Sequence, residues 1–232
     1  MPDLIEVDDV HKTHRMGERD VHALSGVSLR VARGDYLAVM GASGSGKTTL
    51  LHLIGCLDRP SRGTIRLDGT DVSGLGDDAL SQLRSRRIGF VFQAFHLIPQ
   101  LSIAENVELP LVYQGIPGPL RAERAWLTLA SVGLGARIDH RPSELSGGEC
   151  QRAAIARALV ADPNVLLADE PTGNLDSRTG DEIMDLLAEL NADGVTIVLV
   201  THDPDKGKRA RRLIEMRDGR IAREAPDAGA RS

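Results

Sequence analysis

Tyr36-Leu37-Ala38-Val39-Met40-Gly41-Ala42-Ser43-Gly44-Ser45-Gly46-Lys47-Thr48 holds two features in immediate succession. Residues 36–40 are an apolar run of strand length. A glycine-rich loop follows without a gap, with the spacing G-x-x-x-x-G-K-[ST] from Gly41 to Thr48. Residues 48–55, with Leu50, Leu51, Leu53 and Ile54, then suit a buried helix. Strand, glycine loop and helix together are the context in which this spacing cradles phosphate. The glycines let backbone N–H groups close on phosphate oxygens without side-chain clash. The helix start adds unpaired donors and a favourable dipole. Lys47 supplies positive charge for the β and γ phosphates, and the Thr48 hydroxyl suits Mg2+. Alone, the motif points to a nucleotide without saying which one or what work follows.

Outward from this stretch, residues 4–10, 27–31, 64–68 and 88–92 read as short strands, with a polar turn at 16–20. From residue 95 to 160 the strand-like runs stop. Residues 104–109, 120–132 and 151–160 have helical composition, punctuated by Pro99, Pro110, Pro117, Pro119 and Pro142, so this segment reads as a helical insertion. Residues 165–168 are a fully apolar strand that ends in Asp169-Glu170. Ligands collect at the carboxyl ends of strands in open α/β sheets. Asp169 there suits Mg2+, and Glu170 suits orienting and polarising an attacking water. Without the glycine loop the pair would read as solvated acids. Residues 179–190 form an amphipathic pattern with Ile183, Leu186, Leu187 and Leu190 on one face, and residues 195–200 a second buried strand. Strands alternating with helices predict an α/β fold around a parallel sheet. Residues 225–232 are small and polar, expected as a frayed tail.

The 232 residues are 41 % hydrophobic and 26 % charged, with net charge -5. Such a chain buries a sizeable core and is neither disordered nor of low complexity. The negative balance argues against nucleic acid as a partner. Lys206, Lys208, Arg209, Arg211 and Arg212 lack interleaved aromatics and read as a solvated helix face. No apolar run approaches the ~20 residues of a membrane span. The start of the chain lacks a secretory pattern, so Cys56 and Cys150 read as reduced thiols of a cytosolic protein.

Leu145-Ser146-Gly147-Gly148-Glu149 opens a second helix able to hold phosphate at its N-terminus. One nucleotide rarely needs two such helix ends from one chain. Two copies arranged head to tail would need them, each supplying one face of each site.

With these motifs in this order, the sequence resembles the ATP-binding cassette (ABC) ATPases from about residue 4 to 224. The set comprises the phosphate loop 41–48, Gln93, the signature LSGGE at 145–149, Asp169-Glu170, Asn174-Leu175-Asp176 and His202. The resemblance implies an α/β P-loop NTPase (RecA-like) core sheet with an N-terminal antiparallel β subdomain and an inserted α-helical subdomain. Residues 1–94 and 161–224 would form the core with the β subdomain, and 95–160 the helical one. It implies ATP and Mg2+ as cofactors. Gly41, Ala42, Ser43, Gly44, Ser45, Gly46, Lys47, Thr48 and Thr49 would bind ATP, while Thr48, Gln93 and Asp169 would hold the metal. Glu170, Gln93 and His202 would be catalytic. Ser146, Gly147, Gly148 and Glu149 would reach the nucleotide bound to a second copy, and Asp176 would cross that interface. His14 falls where many members place a base-stacking aromatic, with less stacking area than tyrosine.

Further strings resemble the lipoprotein-release and macrolide-export branch: 140–144, 168–176 and 215–220. Glu149, where most cassettes carry glutamine, also occurs in lipoprotein-releasing ATPases. The implied protein is a cytoplasmic-face subunit that dimerises around two ATP–Mg2+ and powers a permease on a separate polypeptide. A regulatory cassette of the cell-division type would share every motif. A soluble, non-transport ABC ATPase is the other alternative.

Overall fold

The computed structural model describes residues 3–17 and 19–225. They fall into two compact units. One is the described part of Met1–Ser81 with that of Asn191–Ser232, and the other is Gln82–Leu190.

In the first unit, strands β1 (Asp3–Met16) and β2 (Arg19–Ala32) pair antiparallel. Strand β4 (Arg62–Leu67) pairs antiparallel with the other edge of β1, and β5 (Thr70–Asp71) with β4. Both long strands outrun the expected 4–10 and 27–31. After the first register shift, between Asp3 and Ile5, Ile5 and Val7 are buried at odd positions, yet Val10, like Leu4 before that shift, is buried at an even one. The register slips at Asp9, whose φ is 45°. A bulge there adds a residue and reverses the parity, so the alternation that announces a strand breaks. Of the expected turn at 16–20, Met16 belongs to β1 and residues 19 and 20 to β2.

Strand β3 (Tyr36–Met40) lies parallel to β8 (Thr196–Val200) on one side and to β9 (Arg212–Arg217) on the other. All five residues of β8 are buried, the continuous apolar reading of a strand covered on both faces. Strand β10 (Arg220–Ala225) pairs antiparallel with β9. Helix α1 (Lys47–Ile54) leaves β3 through the glycine loop and buries Leu50, Leu51, Leu53 and Ile54.

The basic cluster is not one helix face. Helix α7 (Pro204–Gly207) is a single turn, and Arg212 already belongs to β9. In β9, Ile214 and Met216 are buried while Glu215 and Arg217 are exposed, a period of two hidden by charge. The cluster is largely neutralised locally. Lys206 pairs with Asp203, Lys208 with Asp205, and Arg212 with Asp35 and Glu224. Of the expected tail, Ala225 closes β10 and residues 226–232 lie outside the described residues.

The chain enters the second unit within helix α2 (Asp77–Arg87), which the sequence reading missed. Leu80 is its one buried residue, so no apolar period marks it. Strands β6 (Ile88–Phe92) and β7 (Val165–Asp169) are parallel, with Phe92 opposite Asp169. Between them, residues 95–160 contain α3 (Ile103–Tyr113), α4 (Gly118–Ser131) and α5 (Gly147–Leu159) and no strand. Helix α6 (Ser177–Ala192) follows β7. Helix α3 runs through Pro110, although its expected end was residue 109. A capping box of Ser102 and Glu105 anchors its start, and Ile103, Val107 and Leu111 bury one face. Against these, proline removes a single backbone bond.

Candidate nucleotide site

The glycine loop is built from backbone. Gly46, the residue before α1, has φ 101° and leaves the helix start without a side-chain cap. A Cβ there would stand 2.6 Å from the Ala23 carbonyl oxygen. At Gly41 a Cβ would stand 2.3 Å from the Met216 carbonyl oxygen and 2.6 Å from Ser45 Oγ. Strands β2 and β9 therefore press on the loop closely enough that only glycine fits at either end. The Gly219 N–H donates to the Ser45 carbonyl at 3.1 Å and ties the loop to the β9–β10 turn.

Lys47 is buried, and Nζ donates to the carbonyl oxygens of Gly41 at 2.8 Å and Ala42 at 2.9 Å. Among the described residues it has no carboxylate partner. Ser45 Oγ is buried without a hydrogen-bond partner among the described residues. A buried cation, an orphaned hydroxyl and an uncapped helix start converge on one cradle, and that donor set fits a phosphate chain. Ala42, Ser43, Gly44 and Thr48 are exposed, while Thr49 is half-buried.

Two further expected residues lie in this unit. His202 is exposed just past β8 and lines a cavity with Met40, Gly41, Ala42, Leu213 and Glu215, so the fold brings it to the mouth of the loop. The following Asp203 caps α7 through the N–H groups of Asp205 and Lys206. His14 is exposed on β1 opposite Val21 of β2, two residues from Ala23.

The second unit collects the other expected residues. Asp169 ends β7, and Glu170 follows with φ 46°, a left-handed conformation that costs a non-glycine residue about 1–2 kcal/mol. Two tight turns, Gly173 N–H to Glu170 O and Leu175 N–H to Thr172 O, carry the chain to Asp176. Asp176 caps α6. It accepts from the Thr179 N–H at 3.0 Å and the Thr179 hydroxyl at 2.6 Å, which holds its carboxyl below the usual carboxylate range.

Gln93 emerges from β6 beside that strand end. Its Nε2 donates to Asn174 Oδ1 at 3.0 Å, and Asn174 Nδ2 donates back to the Gln93 carbonyl at 3.1 Å. A Cβ on Gly173 would stand 2.7 Å from Gln93 Nε2. Helix α5 grips the same loop. Gln151, fully buried, donates to the Phe92 carbonyl at 3.4 Å, and the half-buried Arg157 donates to the carbonyls of Phe95 and His96. Asn106 of α3, also fully buried, accepts from the Ile98 N–H and donates to the Ile98, Leu101 and Ser102 carbonyls.

Helix α5 begins at the signature. Ser146 is its N-cap, accepting from the Glu149 N–H at 3.3 Å. One Glu149 oxygen accepts from the Ser146 N–H at 2.9 Å and the Ser146 hydroxyl at 2.8 Å, and these bonds hold its carboxyl below the usual range. Gly148 is buried, and a Cβ there would stand 2.4 Å from Thr179 Cγ2. Gly148 of the signature thus packs close to the Thr179 that Asp176 holds, and the Gln93–Asn174 pair lies two residues before Asp176 in the same loop.

The sequence signature of the ABC transporter family matches residues 24–173. The chain belongs to this family. A macrolide export ATP-binding/permease protein MacB from Syntrophobacter fumaroxidans is 53 % identical over 231 residues, which are 98 % of this chain and 32 % of that protein. An uncharacterized ABC transporter ATP-binding protein from Thermotoga maritima is 51 % identical over 95 % of this chain and 94 % of its own length. The chain thus spans about a third of the MacB relatives it matches. A solved dimeric ATP-binding cassette in a post-hydrolysis state, bound to ADP and Pi, shares 45 % identity and superposes with TM-score 0.87 over 96 % of this chain and 98 % of that one. The expected RecA-like core with an N-terminal antiparallel β subdomain is the fold of this ABC cassette, and its similarity to several MacB proteins places it in that branch of the family.

The cassette's network includes residues for which the sequence reading gave no role. Asn174 was visible only as a motif letter. Gln151 and Arg157 carried no signal, because each acts through a loop carbonyl about 60 positions away, and Asn106 and Arg137 none, because bonds to partners 4–12 residues away follow no motif or period. Among the described residues no three His, Cys, Asp or Glu side chains converge as a metal cage. Oxygen donors of the kind Mg2+ takes are present in each unit by itself: the Thr48 hydroxyl at the glycine loop of one, and the Gln93 amide just past β6 and the Asp169 carboxylate at the end of β7 in the other.

Proposed function

We propose that this cassette binds ATP–Mg2+ and hydrolyses it as a head-to-tail pair of identical chains that drives a membrane permease. The buried Lys47 ammonium, held inside the glycine loop by two carbonyls and, among the described residues, by no carboxylate, carries the reading. Its charge, with the uncapped N–H groups of α1, receives the β and γ phosphates. Thr48, Gln93 and Asp169 would hold the metal, which would supply charge neutralisation. Glu170 orients the attacking water and accepts its proton, and His202 contacts the terminal phosphate. The backbone strain at Glu170 supports a catalytic role for it. His14 stacks on the base.

Ser146, Gly147 and Gly148 of the second copy complete each site, with Glu149 and Asp176 at the same interface. The ready-made helix start at α5 supports this. Nucleotide then bridges the copies only in the closed pair, so binding shifts the population toward closure and hydrolysis releases it. Residues 95–160 act as the helical subdomain that receives the permease, with residues 1–94 and 161–224 as the nucleotide-binding core. Among the described residues no helix is long and apolar enough to cross a membrane. The permease places the cassette at the cytoplasmic face of the membrane, and the branch points to lipoprotein release or macrolide or peptide export as the work done.

The test is Glu170→Gln. It keeps ATP affinity, loses turnover by at least ~100-fold, as removal of a general base does, and accumulates an ATP-dependent dimer in sedimentation. Turnover at the unmodified rate would remove Glu170 from catalysis. Mass spectrometry of whatever co-purifies with the tagged chain from solubilised membranes tests the permease. A subunit with membrane spans and an extracytoplasmic domain is expected, and recovery without any membrane protein would contradict it.

A further inference from the structure

We propose that Arg137 is a positioning residue for the signature motif: it neutralises the Glu149 carboxylate so that the α5 start can accept the phosphate of a nucleotide held by the second copy. This rests on the head-to-tail reading above.

The problem it solves is electrostatic. A helix start attracts anions because its aligned peptides place roughly +0.5 of a charge there. In α5 the third helical residue is Glu149, whose carboxylate already lies on that start, 2.9 Å from the Ser146 N and 2.8 Å from Ser146 Oγ. The full negative charge outweighs the partial positive one, and the Ser146 hydroxyl proton is spent on it. Left so, the site repels a phosphate.

Arg137 restores the balance. Its Nε donates to the other Glu149 oxygen at 3.2 Å. The turn that carries it is fixed at both ends. The Arg137 N–H donates to the Leu134 carbonyl, and the His140 N–H to the Arg137 carbonyl. The first turn of α3 then holds Ile138 and His140 through the Ala104 and Ile103 N–H groups. His140 Nε2 lies 3.3 Å from Arg137 Nη1. The other charges nearby are already engaged: Glu144 accepts from the Arg141 N–H, and Arg152 faces Glu182. Arg137 and Glu149 are 49 % and 30 % exposed, so the pair adds little to folding. The cap itself stands on the Ser146 bonds without Arg137. What the guanidinium changes is the charge presented to an incoming anion.

The experiment uses the full chain with Glu170→Gln, so that bound ATP persists, and measures the ATP–Mg2+-dependent dimer by sedimentation. Arg137→Met is expected to weaken dimerisation about two- to fivefold per site, and by the square of that over two equivalent sites. The thermal midpoint and the ATP affinity of the monomer stay unchanged. The loss shrinks in 0.5 M salt, since salt of about that strength screens an exposed pair. With Glu149→Gln added, Arg137→Met has no effect, because no carboxylate is left to neutralise. An equal loss in the Glu149→Gln background, or no loss in either, overturns the proposal alone. A Glu170→Gln chain that forms no ATP-dependent dimer overturns the head-to-tail reading and the proposal with it.

Discussion

The glycine loop and the Gln93–signature network are built by opposite means. The loop is shaped by backbone pressing on backbone: a methyl at Gly41 or Gly46 would meet a carbonyl oxygen at 2.3 or 2.6 Å. The network is shaped by side chains: a methyl at Gly173 would meet the amide of Gln93, and one at Gly148 the methyl of Thr179. A backbone cradle has one geometry and suits a group that must always be held. A side-chain network has alternatives, and that suits the response to nucleotide and to a second copy proposed for these residues.

Lys47→Ala gives the largest effect, because it empties the cradle of its one buried cation. Nucleotide affinity falls about 100-fold, the scale of lost charge-assisted bonds. Titration calorimetry measures it, and unchanged affinity would contradict the assignment. Gly46→Ala comes next. With φ 101° and a carbonyl in the way, it lowers stability by about 2–3 kcal/mol and nucleotide binding with it. Gly173→Ala sharpens the contrast. The chain folds with an unchanged thermal midpoint, but the displaced Gln93 lowers kcat by about tenfold with little change in KM. A Gly173→Ala chain that unfolds like Gly46→Ala would erase the distinction between the regions.

The smallest effect is on acid stability. Glu149 and Asp176 both cap helices with carboxyls held below the usual range. Their contribution is complete above the ordinary carboxylate pKa of about 4 and is lost as pH falls through the lower folded values. Glu149→Gln with Asp176→Asn therefore flattens the fall in Tm below about pH 4. An unchanged slope would mean the caps do not titrate with folding.

The same contrast explains what could be read from the letters. The loop was legible from Tyr36 to Ile54 because its determinants are contiguous: apolar strand, glycines at fixed spacing, leucines at helical spacing. Asp169-Glu170 and Ser146 were legible for the same reason. Asn174 meets Gln93 across 81 positions and Gln151 meets Phe92 across 59, and no local pattern announces either pair. The fold obeyed the same limit. Strand β8 was plain because all five of its residues are buried. The bulge at Asp9 hid the length of β1, and α2 buries only Leu80. Pro110 marked a helix end that tertiary packing overrode.

The pairing of glycine loop and signature across two copies is tested most directly by adding Ser146→Arg to the Glu170→Gln chain and sedimenting it with ATP–Mg2+. Ser146→Arg puts a bulky side chain on the α5 cap and leaves the glycine loop untouched. The expected result is a monomer that binds ATP with undiminished affinity, while Glu170→Gln alone forms the dimer. A doubly substituted chain that dimerises as readily would show that the signature does not act across the pair.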